Sequence, residues 1–190
     1  MTVQPPDAKR DSIHVAAITE FSARGFSATS MANIAEAAGM SRPALYLHFE
    51  NKSDIFRSAF VALFDDAVDA ALLALGSDAP IIERLDGYLQ RFDGDLWERT
   101  AASPHSDEIM LAKGVHAAAE VASVIGRRRA GLADQLRAWS SNDTHCTGWL
   151  DLLEHSPKGF KWDEPSVPAY RRRLSALARS VAADIEISTR

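Results

Sequence analysis

Features that mark an enzyme, a secreted domain or a membrane protein are scarce in this chain. It holds one cysteine, Cys146, in 190 residues, so no intramolecular disulfide can form and nothing points to an oxidising compartment. No basic start is followed by the apolar run of a signal peptide. The best apolar stretch, Ala59 to Leu75, is broken by Asp65, Asp66 and Asp69 and falls short of the roughly 18 uninterrupted apolar residues of a spanning helix. The expectation is a cytoplasmic protein with no membrane partner. Alternating Val, Ile, Thr and Tyr runs are missing, which argues against a sheet. There is no Gly-rich phosphate loop, no paired carboxylates and no metal-ligand spacing, so neither an enzyme nor a cofactor or metal is expected. His145 and Cys146 do not change this, because adjacent residues on a helix point about 100° apart and do not face one another.

What is present suits an all-α protein. Hydrophobic residues make up 46% of the chain, ample for a buried core. They recur at spacings of three and four, the period of helices with one buried face. A first helix is expected over about Asp7 to Arg24, burying Ile13, Ala17 and Phe21, with Gly25 free to take the left-handed stop. Ser30 caps a short helix, Met31 to Ala38, which Gly39 ends. Ser41 caps a third, with Arg42 and Pro43 in its first turn, where proline's missing N–H costs nothing. Leu45 and Phe49 anchor that helix inward. A long helix, Asp54 to about Leu75, then links an N-terminal domain, 1–52, to a C-terminal domain, 53–190. Further helices are expected at about Pro80 to Ala101, His105 to Leu111, Val115 to Trp139, Thr144 to Phe160 and Val167 to Ile187. Pro157 predicts a kink or an early end.

The formal charge of −5 is unevenly spread. Residues 1 to 57 carry six basic and six acidic side chains, so the whole deficit lies beyond them. A neutral head meets phosphates only by placing a few cations well. The runs Arg127 to Arg129 and Arg171 to Arg173 read as solvated faces paired with nearby acids.

Two short helices separated by the turn Gly39-Met40-Ser41 form a helix-turn-helix, whose second helix presents its N-terminal residues to base edges in the major groove. Arg42 can donate two hydrogen bonds to guanine O6 and N7, while Pro43 and Ala44 permit close approach and can touch a thymine methyl. Ser41 caps that helix. Tyr46, His48 and Lys52 carry donors suited to phosphate on either side of the groove. Thr29 and Ser30 add hydroxyls and free N–H groups at the N-terminus of the preceding helix, which also favour phosphate.

The run from Thr29 to Lys52, TSMANIAEAAGMSRPALYLHFENK, resembles the DNA-binding signature of TetR-family regulators, including the Tyr46-Leu47-His48-Phe49 step and Lys52 three residues later. The resemblance covers about residues 8 to 60. It implies that Arg42, Pro43 and Ala44 face bases and that Tyr46, His48 and Lys52 grip phosphate. Ala44 departs from the family, where a hydroxyl-bearing residue is common, and leaves more of the readout to Arg42. It further implies a helical ligand-binding and dimerisation domain, in which the last two helices build a four-helix bundle with a partner copy. Leu174, Leu177, Ala178, Val181, Ala182 and Ile185 make the required stripe. A homodimer bound to an inverted-repeat operator in double-stranded DNA follows, as does a small apolar or aromatic effector that releases a repressor. Candidate pocket residues are Phe92, Leu96, Trp97, Met110, Trp149, Leu153 and Phe160, with His105 and His116 as polar orienting groups. The alternatives are a helical protein-binding adaptor, which would not explain why Arg42, Tyr46, His48 and Lys52 fall on one short segment, and an enzyme.

Overall fold

The three-and-four spacing resolves into ten α-helices among the residues described by the computed structural model, 6–101 and 103–188. They are α1 (Pro6–Ala28), α2 (Met31–Ala37), α3 (Arg42–Tyr46), α4 (Lys52–Leu75), α5 (Ile81–Leu89), α6 (Asp95–Ala101), α7 (Ser106–His116), α8 (Ala118–Trp139), α9 (Asp143–Gly159) and α10 (Val167–Ser188). No strand occurs among the described residues. No single helix there is long and apolar enough to cross a membrane. The helices fall into two units: Met1–Phe64 with Ala102–Ala122, and Asp65–Ala101 with Ser123–Arg190.

Unit 1 is built on the residues that the helical period singles out. Ile13, Ala17 and Phe21 of α1 meet Met31, Ile34 and Ala35 of α2, Leu45 of α3, and Phe49. Where the sequence divides at 52/53, the packing continues to Phe64, because Ile55, Phe56, Ala59 and Phe60 of α4 close the same core. Ile109 and Ala112 of α7 join it too. Helix α1 breaks at Gly25, as expected of a glycine there. Its φ of 79° and ψ of 166° suit only a residue without Cβ, and a side chain would run into the Glu108 carboxylate. Helix α7 is longer than the period suggested and breaks at Ala117, beyond the 112–114 gap. Ala112 is buried and the Lys113 ammonium lies 5.3 Å from the Phe64 ring, so packing holds the helix through Gly114.

Unit 2 departs from the sequence reading inside the expected Pro80 to Ala101 helix. There α5 passes into five π-helical residues, Gln90–Gly94, before α6 begins. The wider turn buries Phe92, Asp93 and Gly94 in succession, which a regular helix would not do. Arg171 of α10 holds this segment, donating to Gln90 at 3.0 Å, Asp95 at 2.8 Å and Glu98 at 2.5 Å. Helix α9 runs through Pro157 to Gly159, so the proline sits in its last turn and does not end it early; the Phe160 N–H still donates to the Ser156 carbonyl at 3.0 Å. In α10, Leu174, Ala178, Val181, Ala182 and Ile185 are all buried within their own chain and Leu177 is half-buried. Their main partner is α5. The stripe expected to face a second copy is thus already covered, since a period marks an apolar face without naming what lies opposite.

Candidate nucleic-acid interface

The turn between α2 and α3 is fixed by backbone chemistry. The Met40 N–H donates to the Ala35 carbonyl and the Gly39 N–H to that of Glu36, both near 3.0 Å, a Schellman closure that needs a left-handed residue. Gly39 supplies it at φ 65°. Ser41 then caps α3, its hydroxyl accepting from the Ala44 N–H at 3.3 Å. At the start of α2, Ser30 Oγ accepts from the Asn33 N–H at 3.2 Å and the Ser30 N–H donates to Asn33 Oδ1 at 3.0 Å, a capping box with Asn in the acidic place.

Leu45 and Phe49 point into the core and so turn the opposite face of α3 outward. Ser41, Arg42, Pro43 and Tyr46 are exposed, and Ala44 and His48 are half-buried. The Arg42 guanidinium rests 5.7 Å from the Tyr46 ring and donates to its hydroxyl at 3.3 Å. That pairing pre-orders the arginine at the N-terminal end of the helix. Leu47, absent from the sequence candidates, is 85% exposed. An apolar side chain so open is suited to a thymine methyl; Leu47 keeps helical angles at the end of α3, φ −73° and ψ −18°.

Two candidates are directed elsewhere. Thr29 is 1% exposed, and its hydroxyl donates to the Gly25 carbonyl at 2.7 Å. Lys52 sends its ammonium to the carbonyls of Phe26 at 2.6 Å and Ser27 at 3.2 Å, 4.5 Å from the Phe26 ring. Burial lowers its pKa, opposed by Glu108. Both residues brace the head by satisfying the last carbonyls of α1; burial shuts Thr29 off from phosphate, whereas Lys52 is only half-buried, with its ammonium turned to those carbonyls. The 103–116 segment does the same from the other side. Glu108 accepts from the Ser27 N–H at 2.6 Å, Ser103 donates to the Ser22 carbonyl at 2.8 Å, and His116 stacks 4.8 Å from Phe26. Nothing in the period of α7 announces this role.

The pocket candidates divide between the units. His105, Met110 and His116 lie in unit 1, whereas Phe92, Leu96, Trp97, Trp149, Leu153 and Phe160 lie in unit 2. Phe92, Trp149 and Leu153 are buried. Trp149 donates to Asp184 at 2.7 Å and Trp97 to the Pro165 carbonyl at 3.3 Å. The arginine runs depart most from plain solvated faces at Arg128. Arg127 pairs with Asp65 and Asp69, and Arg173 with Asp163. Arg128, by contrast, is 5% exposed and donates to Asp93 at 2.7 Å. Its guanidinium stacks 4.0 Å from the Phe92 ring centroid and 4.6 Å from that of Tyr88. Burial pushes the Asp93 carboxyl above its ordinary value while Arg128 pulls it back.

Residues 13–59 match the family model described as bacterial regulatory proteins, tetR family. FasR, an HTH-type transcriptional activator of Mycolicibacterium smegmatis, is 32% identical over 88 residues, 46% of this chain and 40% of that protein. IcaR of Staphylococcus epidermidis, the HTH-type negative transcriptional regulator of the biofilm operon icaADBC, is 32% identical over 90 residues, 47% of this chain and 48% of its own. The matched stretch thus spans about half the length of these curated relatives or less. A crystal structure from Rhodococcus sp., assigned to the TetR family of transcriptional regulators, superposes with a TM-score of 0.63 at 22% identity, over 92% of this chain and 99% of that one. Its likeness shows that the fold is TetR-like, with an N-terminal helix-turn-helix and a helical remainder.

Proposed function

From a chain whose residues 13–59 match the family model of TetR-type bacterial regulatory proteins, we propose a DNA-binding transcriptional regulator. It reads an inverted-repeat operator as a homodimer and is released by a small effector. The observation that carries this is the outward face of α3. A five-residue helix is capped at Ser41, anchored by Leu45, and left with Arg42, Pro43 and Tyr46 open. Arg42 reads a guanine, Pro43, Ala44 and Leu47 lie against the groove, and Ser30, Tyr46 and His48 take phosphates. Thr29 and Lys52 act as positioning residues that hold α1 to the reading element. A neutral head makes these contacts depend on placement more than on bulk charge.

Residues 1–52 are the reading part and 53–190 the sensing and dimerising part of this proposal. The partner copy meets the outer faces of α9 and α10, where Leu152 and Ile187 are open, because the inner stripe of α10 is already taken. Two-fold symmetry then sets the recognition helices about 34–36 Å apart, one turn of B-DNA. An effector acts by differential affinity for the DNA-bound and free shapes, through α4, which contributes residues to both units. IcaR is named a negative regulator and FasR an activator. The repressor reading therefore rests on the release mechanism, and it places the protein in the cytoplasm with its DNA.

Selection of bound sequences from random duplex DNA tests the reading. An inverted repeat with half-site centres about 10 base pairs apart is expected. Recovery of no motif, with the protein folded, favours an adaptor and overturns the regulator. Light scattering that finds a monomer at micromolar concentration removes the dimer.

A further inference from the structure

We propose that a groove in unit 2, where α10 packs on Gln90, binds a small molecule rich in phosphate groups. This ligand is additional to the effector proposed above and does not depend on it. The groove measures about 480 Å³ and is lined by Gln90, Arg171, Arg172, Ser175 and Arg179, a size ordinary for a small-molecule site. Among the described residues its wall holds three arginines and no acid, in a chain whose net charge is −5. The arginines differ in what they hold. Arg171 is fully engaged, donating to Gln90 at 3.0 Å, Asp95 at 2.8 Å and Glu98 at 2.5 Å. Arg172 and Arg179 are exposed and have neither an ion-pair nor a hydrogen-bond partner among the described residues, although Arg173 beside them pairs with Asp163.

Seven positions make nearly two turns of a helix, so the two free arginines share one face of α10, about 10 Å apart along its axis, with Ser175 between them. The floor beneath them is closed. Gln90 donates to the Arg171 carbonyl at 3.0 Å and to Ser175 at 3.1 Å, and Ser175 donates to Asp86 at 2.7 Å. The floor therefore fixes the shape of the groove and leaves the open donors to the two arms, about five N–H groups each. Guanidinium groups only donate and stay charged, so the ligand presents anionic oxygens. In so open a groove a single ion pair contributes little, and affinity has to come from several charges carried close together. A phosphate group brings about −1.5 to −2 charges at pH 7 against about −1 for a carboxylate, and its oxygens match the guanidinium fork. Arms that start about 10 Å apart suit linked phosphates better than a single one.

Tripolyphosphate is a suitable probe for the full chain, with orthophosphate and citrate as comparisons, read by titration calorimetry at low salt without DNA or divalent cations. It is expected to bind about tenfold or more tighter than either comparison. Arg172→Gln combined with Arg179→Gln should weaken it about tenfold or more. The melting temperature of that double variant should match the wild type, since neither side chain has a partner to lose. Arg42→Ala should leave tripolyphosphate binding unchanged, which separates this groove from the reading head. The proposal is overturned if tripolyphosphate does not bind, if citrate binds as tightly, if the double variant binds it like the wild type, or if Arg42→Ala is what removes it. It is also overturned if random duplex DNA displaces tripolyphosphate from the Arg42→Ala protein, because the groove would then belong to nucleic acid.

Discussion

Unit 1 and unit 2 handle their polar groups in opposite ways. In unit 1 the core is apolar, the buried Thr29 and the half-buried Lys52 are hydrogen-bonded to helix-end carbonyls, and Arg42, Tyr46 and Ser41 are turned outward. In unit 2 an ion pair and two unpartnered donors lie inside. The first arrangement is that of a rigid frame presenting side chains to something outside. The second holds charge within, where desolvation makes every unmatched group costly.

Four substitutions test that contrast. Arg128→Ala leaves Asp93 buried without its partner and should lower unfolding stability by about 3–5 kcal/mol, read by urea denaturation. A loss near zero would mean that Asp93 is solvated or protonated and that unit 2 keeps no interior charge. Leu45→Ala opens a cavity beneath α3 and is expected to cost about 2–5 kcal/mol. Because Leu45 anchors α3, DNA affinity should fall with it at temperatures where the total helix content by circular dichroism is still that of the wild type. Ser41→Ala removes a cap and should cost about 1 kcal/mol. A larger effect on DNA binding than on stability would show that the Ser41 hydroxyl also touches phosphate. Arg127→Ala, one position from Arg128 but on an exposed pair, should change stability by less than about 1 kcal/mol. If Arg127 and Arg128 cost the same, burial is not what distinguishes them.

These contrasts follow what could be read in the sequence. Gly39, Ser41 and Leu45 were legible because a turn, a cap and an anchor are decided within a few residues by local backbone chemistry. The direction of Thr29 and Lys52 was not. Their partners are the frayed carbonyls of α1, and only the tertiary fold brings Lys52 to Phe26, 26 positions away. The α10 stripe was visible as an apolar face, but its partner, α5, lies some ninety residues earlier. Arg128 looked like its neighbours in a basic run. Its burial depends on Asp93, which a regular helix through 90–94 would have oriented differently. Leu47 escaped notice because exposure of an apolar residue has no signature in a periodic pattern.

The central claim is that the outward face of α3 reads sequence and does not merely adhere to phosphate. It is tested most directly by the affinity of wild type and Arg42→Ala for the selected operator and for random duplex, at one fixed salt concentration. The account predicts that Arg42→Ala loses about 1–3 kcal/mol on the operator, roughly 5- to 150-fold, with affinity for random DNA little changed. Equal loss on both would contradict it.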